Sequence, residues 1–189
     1  MRAKKSLLRE FPLDRVFTLI EPGPLAMVTT SHKGKPNVMT MSWLMMVDFV
    51  PPYIACVMSP TNHSFKALRA TKECVIAIVT TDLAKTAVDI GNCSGADLDK
   101  FTKFGLATIA AEKVSAPLLP CCLYNIECRV VNTTLTGKYC LFVLEAVKAW
   151  QDPTRKERRR IHANGDGTFI IDGRVIDLKK RMTKFPDIL

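Results

Sequence analysis

Hydrophobic residues in this chain fall in short runs separated by turn-forming residues, a pattern of strands more than of long helices. Residues 25–31 (LAMVTTS) read as a strand, 32–35 (HKGK) as a turn, and 37–44 as a returning strand. The pair predicts a hairpin whose loop is longer than the two-residue minimum. Pro51-Pro52 breaks the chain before an apolar strand over 53–58 (YIACVM). Thr61 or Asn62 is placed to cap a helix in which Phe65, Leu68 and Arg69 follow at helical spacing. A buried strand over 74–80 (CVIAIVT), helices over 83–90 and 96–104, and strands over 124–132 and 139–150 complete the middle of the chain. Residues 168–171 and 174–178, around Asp172-Gly173, predict a last hairpin.

Strands outnumber helices, come as hairpins and do not alternate strictly with helices. The fold class expected is therefore mainly β with peripheral helices, an antiparallel barrel in place of a doubly wound parallel sheet. A single domain over 1–189 is expected, with its core at about 12–150 and a C-terminal extension carrying the late hairpin at 151–189.

Composition narrows the class. With 189 residues and 48% hydrophobic content the chain reads as globular. No apolar run approaches the ~20 residues of a membrane span. The start, MRAKKSLLREFPLDR, is basic but lacks the apolar stretch of a secretory signal, so a cytoplasmic location and no membrane partner are expected. The seven cysteines show neither a CxxC pair nor zinc spacing with the three histidines, which suits reduced, mostly buried thiols and no metal. Cys121-Cys122 has the spacing of a vicinal disulfide, a strained bridge. The net charge of +9 suits an anionic partner. Much of it lies in 155–160 (RKERRR), where no aromatic residue interleaves as a nucleic-acid stacking platform requires, so a solvated segment is the simpler reading.

Candidate chemistry lies in two stretches. The strand PNVMTMSW carries Asn37, Thr40, Ser42 and Trp43 among methionines, where a plain core strand carries Val, Ile or Leu. That mixture suits a flat ligand with polar edges. The run Ser59-Pro-Thr61-Asn62-His63-Ser64 follows an apolar strand and enters a helix, where free N–H groups and the helix dipole favour a phosphate. Taken singly, Trp43 reads as core, and Lys100 as a solvated helix residue paired with Asp97. There is no GxGxxG, GxxxxGK[ST] or HExxH. Residues 91–95 (GNCSG) match a nucleophile elbow with cysteine at its centre, but that motif needs a preceding strand and 83–90 reads as helix. Residues 164–167 (NGDG) match part of a calcium loop, but His162 and Gly173 occupy its first and twelfth ligand positions, leaving a hairpin turn as the better account.

In order, PNVMTMSW, SPTNHSFKAL, SGADLDKF and APLLPCCLYNIECRVV resemble the flavin reductase-like proteins with an FMN-binding split barrel, flavoredoxin included. The resemblance covers about 21–150. It implies a homodimer of split barrels with one FMN per subunit near the interface. By position, Asn37, Met39, Thr40, Ser42 and Trp43 line the isoalloxazine and ribityl chain, and Ser59, Asn62, His63 and Ser64 surround the phosphate. Lys100 reaches the flavin or its phosphate, and Tyr139 donates to the flavin from the partner subunit. Two departures stand out: Lys138-Tyr139 follow Gly137 where members often have Gly-x-His, and Leu144 stands where glycine is common. The expected function is that of a flavin reductase-like oxidoreductase passing electrons through FMN, supplied by NADH, NADPH or a redox protein, with no catalytic side chain of its own. A non-catalytic flavin carrier or sensor, and a basic nucleic-acid-binding barrel, are the other readings.

Overall fold

A computed structural model of the protein describes residues 23–181. The basic start, the opening of the 12–150 core and residues 182–189 lie outside the described residues. Seven strands form one antiparallel sheet: β1 (Ala26–His32), β2 (Lys35–Met41), β3 (Leu44–Phe49), β4 (Pro52–Val57), β5 (Glu73–Ile78), β6 (Tyr124–Asn132) and β7 (Leu141–Gln151). Their order is β2-β1-β5-β6-β7-β4-β3.

That order makes the sheet curl. β2 and β3 are its opposite edges, six strand spacings of roughly 4.8 Å apart if the sheet were flat. Only Ser42 and Trp43 separate them, and three peptide steps span at most about 11 Å. The sheet must therefore roll until its edges approach, leaving a barrel split along the β2/β3 seam. This is why the strand expected over 37–44 ends at Met41: Leu44 already belongs to the far edge, paired with Cys56 of β4.

Helix α1 (His63–Thr71) plugs the rolled sheet. Its Phe65 and Leu68 join Ala26, Val28, Ile76 and Phe142 in the inner core, where Phe65 meets Phe142 edge-on at 5.6 Å. Alternate residues of β1 and β2 face outward. Met27 and Val38 form a second core with Ala87 and Ile90 of helix α2 (Ala84–Gly91), Leu119, Cys122 and Ile161. Helices α3 (Lys100–Lys103) and α4 (Thr136–Tyr139) are single turns.

Several elements differ from expectation: β3 has no counterpart among the expected strands, the helix expected over 96–104 is the single turn α3, and three turns fall elsewhere. The β1–β2 turn is the two-residue minimum, Lys33-Gly34, because both residues adopt the positive φ (51° and 73°) that matches strand twist. β7 starts at Leu141, not at Tyr139, because α4 winds residues 136–139 and Cys140 closes it in the left-handed region. The late hairpin pairs β8 (Ile161–Ala163) with β9 (Phe169–Ile171) around 164–167, and 174–178 form no strand. Gly165 and Gly167 supply the positive φ, and the Asp166 carboxylate accepts from the Thr168 N–H at 3.0 Å. Asp172, expected in a turn, instead accepts from Arg160 Nε (2.7 Å) and bonds His162 Nε2 (2.8 Å).

Three of the five cations in the basic run are paired where they lie. Arg155 pairs with Asp82 at 2.7 Å and donates to Thr80 Oγ1 at 3.0 Å, Arg159 pairs with Glu157, and Arg160 with Asp172. The run thus straps the extension to the end of β5, where the Thr81 N–H donates to the Arg159 carbonyl at 3.0 Å. All seven cysteines are free thiols. Among the described residues no helix is long and apolar enough to cross a membrane, and no group of His, Cys, Asp and Glu is arranged to hold a metal ion.

Candidate functional site

β2 pairs only with β1, so its outer edge carries backbone groups that no described strand uses. Three connected hollows run along that edge. At the seam lies one of about 480 Å³, walled by Met39, Met41, Trp43, Val57 and Tyr139, with Ser42 and Ser59 at its margin. Trp43 is 59% exposed and Tyr139 54% exposed, so neither ring is a core residue. Met39, Thr40 and Asn62 are shared with the second hollow, a polar chamber of about 280 Å³. The chamber is bounded by Asn37, Thr61, His63 and Lys100 and by the 91–95 loop. A third groove continues from it past Lys35 and Asp97.

The chamber has the character of an anion site. No carboxylate lines it. Asn62 occupies the N-cap position of α1 but its side chain makes no capping bond, and the first turn carries no acid. The turn before it is closed by Ser59, whose carbonyl accepts from the Asn62 N–H at 2.9 Å. Helix-end donors are therefore left for a ligand. Lys100 is only 4% exposed, and its Nζ donates to the Ile90 carbonyl at 2.8 Å, at the C-terminal end of α2. An ammonium has three donors, so two remain available. Burial pulls the Lys100 pKa down, with nearby Cys93 pushing the other way. A desolvated cation with a single carbonyl partner gains from an anion beside it.

The architecture behind the chamber is tightly specified. Thr40 Oγ1 donates to the Ala87 carbonyl at 2.5 Å and ties α2 to β2. Asn37 Nδ2 donates to Ser64 Oγ at 2.8 Å, and Thr30 Oγ1 reaches the same oxygen at 3.3 Å. Gly95 packs directly on the Asn37 amide, where a Cβ would collide with Oδ1. Glycine is needed there for close approach.

The structure brings Asn37, Met39, Thr40, Ser42, Trp43, Ser59, Asn62, His63, Lys100 and Tyr139 to these connected hollows. Ser64, expected at the phosphate, is fully buried, and its hydroxyl accepts from Asn37 and Thr30, so it lines none of the hollows and holds Asn37 in place. Tyr139 was expected to serve a partner's site, yet it lines the hollow of its own chain. Lys100 is not a solvated partner of Asp97 but a buried cation on a helix end. The 91–95 loop was not foreseen as part of the site. The helix before it, α2, removes the nucleophile-elbow context, and its glycines were the only sequence signal for the close packing that puts Asn92 and Ser94 on the chamber.

The donor set fits FMN on these observations: aromatic and thioether walls at one end, an acid-free cationic chamber at the other, and a strand edge between them. A separate, mostly apolar cavity of about 640 Å³ beside Trp150 shares none of these residues.

Residues 20–169 match the model of the flavin reductase like domain. A protein of Archaeoglobus fulgidus with no assigned function is 34% identical over 111 residues, which are 59% of this chain and 63% of that protein, so the match spans under two thirds of the relative. Two solved structures share the fold. An FMN-binding domain of a flavin reductase-like enzyme from Shewanella baltica has a TM-score of 0.76 at 22% identity, covering 88% of this chain and 95% of that one. Flavoredoxin of Desulfovibrio vulgaris (Miyazaki F) also gives 0.76 at 22% identity, with 92% and 96% covered.

Proposed function

The chain belongs to the flavin reductase-like family, and from that premise we propose that it is an FMN-binding oxidoreductase that passes electrons through a bound FMN. The observation carrying this reading is the hollow along the β2 edge, aromatic at the seam and cationic at α1. FMN, when bound, supplies the redox chemistry. The chain's own residues bind and orient. Trp43 and Tyr139 wall the ring, the β2 edge meets its polar rim, and His63, Lys100 and the 91–95 loop hold the phosphate. Asn37, fixed by Ser64, sets the chamber floor. The Shewanella structure, an FMN-binding domain, supports FMN as the cofactor.

NADH or NADPH is the proposed electron donor, with a redox protein as the other source. The proposed assembly is a homodimer in the cytoplasm, for which the exposed Trp43, Met45, Met46 and Val47 beside the open β3 edge are the supporting surface. Purified protein is expected to be yellow or to become so with FMN. Anaerobic mixing with NADH or NADPH then bleaches the flavin absorbance within seconds. Colourless protein that ignores added FMN contradicts the cofactor. A yellow protein that neither nucleotide bleaches is a carrier or takes its electrons from a protein.

A further inference from the structure

We propose that Cys121 and Cys122 form a site of reversible oxidation, in which a hydroperoxide oxidises the Cys121 sulfur and Cys122 then closes a vicinal disulfide. Neither residue lines the hollows along β2. Both lie in the turn that leads into β6, closed by the Cys122 N–H donating to the Leu119 carbonyl at 3.0 Å. Asn125 clamps that turn. Its Oδ1 accepts from the Leu119 N–H at 2.7 Å, and its Nδ2 donates to the Leu119 carbonyl at 2.9 Å. The two thiols thus sit on a fixed backbone, Cys121 half-buried and Cys122 inside the second core. Cys122 also lines the cavity of about 640 Å³ beside Trp150, so the turn has open space on one side in which to adjust.

The surroundings give the two sulfurs different roles. Arg155 is close enough for its charge to act on both. Its Nη2 donates to Asp82 and Thr80, while its Nε is buried without a hydrogen-bond partner among the described residues. A buried N–H of a cation without an acceptor favours an anion beside it. The Cys122 thiol donates to Cys121, and with the Arg155 charge this holds the Cys121 thiol at about 7 against burial and the Asp82 carboxylate. The same bond and burial push Cys122 far up, so it stays protonated. The thiolate is the nucleophile, so Cys121 reacts first and Cys122 resolves. The Cys121 sulfur takes the outer hydroxyl of the hydroperoxide, the O–O bond breaks, and the remaining oxygen leaves as the alcohol with a proton from solvent. The Cys122 sulfur then gives up its proton and displaces that hydroxyl as water. Two electrons pass in all from the two sulfurs to the hydroperoxide. Adjacent Cα atoms stand about 3.8 Å apart, below the roughly 4.4 Å at which unstrained disulfides begin, so the bridge is readily reduced again. Cys93 and Cys140 are also half-buried, but neither has a cysteine beside it in the chain.

The test is mass mapping of the full chain after brief exposure to hydrogen peroxide at pH 7, with remaining thiols blocked by iodoacetamide. The peptide carrying 121–122 is expected to be lighter by two hydrogens and unblocked at both sulfurs, and dithiothreitol should restore it. C122S keeps a hydroxyl to donate to Cys121 but cannot resolve, so it should stop at a sulfenic acid that dimedone labels on Cys121. C121S should slow oxidation of Cys122 by roughly tenfold or more. R155Q should move the pH midpoint of the reaction upward and leave its product the same, which a merely structural Arg155 would not do. Wild-type protein that accumulates dimedone-labelled Cys121 beside a blocked Cys122 overturns the bridge. Cys93 or Cys140 reacting before Cys121, or no oxidation at 121–122, overturns the site.

Discussion

Replacing Lys100 with methionine keeps most of the side chain's length and removes the ammonium that faces the polar chamber. Loss of one charge-assisted contact to a phosphate is expected to weaken FMN by about 1.5–3 kcal/mol, or roughly 10- to 100-fold. Riboflavin, which lacks the phosphate, should lose far less, so titrating both flavins separates a phosphate role from damage to the ring end. Equal losses would move Lys100 to the ring. Cys121 makes a second residue-scale prediction. A hydrogen bond from Cys122, helped by the charge of Arg155, pulls its thiol down to about 7, while burial pushes Cys56 up to about 12. Alkylation by iodoacetamide should therefore show one fast thiol with a midpoint near pH 7, absent in C121S. Side chains like these were the least legible part of the chain. Spacing alone puts Lys100 on a solvated face beside Asp97; only the fold turns it under α2 onto the Ile90 carbonyl. Ser64 is the converse case. It stands in a polar run like its neighbours, but helical rotation sends it inward to Asn37.

At the scale of elements, the 91–95 loop and β2 act as one piece. Gly95→Ala drives a methyl into the Asn37 amide, which must then leave Ser64. FMN affinity should fall by about tenfold or more, while Gly173→Ala, where nothing lies within 4 Å of the added atom, should leave it unchanged. Flavin titration of the two variants checks this. Another element-scale contact is Glu127 on β6, fully buried, whose carboxylate accepts from the N–H groups of Glu112 (3.1 Å) and Lys113 (2.5 Å) and from Trp150 Nε1 (2.6 Å). Burial pushes its pKa up, but the Trp150 bond and the backbone donors outweigh it and hold the carboxyl below its usual range. A depressed carboxyl pKa stabilises the fold above the unfolded value of about 4.3, and that stability is lost as pH falls through the folded value. Glu127→Gln should cost on the order of 2 kcal/mol at pH 7, lowering Tm by about 4–8 °C, with the gap to wild type closing in acid. Thermal unfolding at pH 7 and pH 3 reads this out. A gap that stays constant with pH would mean that the carboxylate charge does not matter.

Elements were legible where pattern and packing agree. The apolar strands β4, β5 and β6 and helix α2 follow from their hydrophobic runs and periods, within a residue or two. The late hairpin did not, because the chain offers two turn signals, 164–167 and Asp172-Gly173. The first wins because its glycines meet the positive φ, while Asp172 is drawn into bonds with Arg160 and His162.

For the whole molecule, strand order is what makes a site. Joining opposite sheet edges through Ser42-Trp43 rolls the barrel and sets an aromatic residue at the seam next to the free β2 edge. Hairpin spacing predicts an antiparallel barrel, but it says nothing of which edges meet, since that depends on pairings distant in sequence. The same order leaves β3 open, with Met45, Met46 and Val47 each more than half exposed. A homodimer covering that edge should sediment at twice the chain mass, and Val47→Asp should return it to a monomer. A wild-type monomer at all concentrations would remove the dimer from the account. Arg155, Arg159 and Arg160 of the basic run pair with Asp82, Glu157 and Asp172, and the Arg155–Asp82 pair fastens the extension to the barrel.

The central claim is that flavin lies along β2 with its phosphate at α1. A crystal structure of the protein with FMN tests it most directly. The account predicts the phosphate between His63, Lys100 and the 91–95 loop, and the ring beside Trp43 and Tyr139. Flavin in the cavity beside Trp150, a phosphate at the seam, or no flavin at saturating concentration would contradict it.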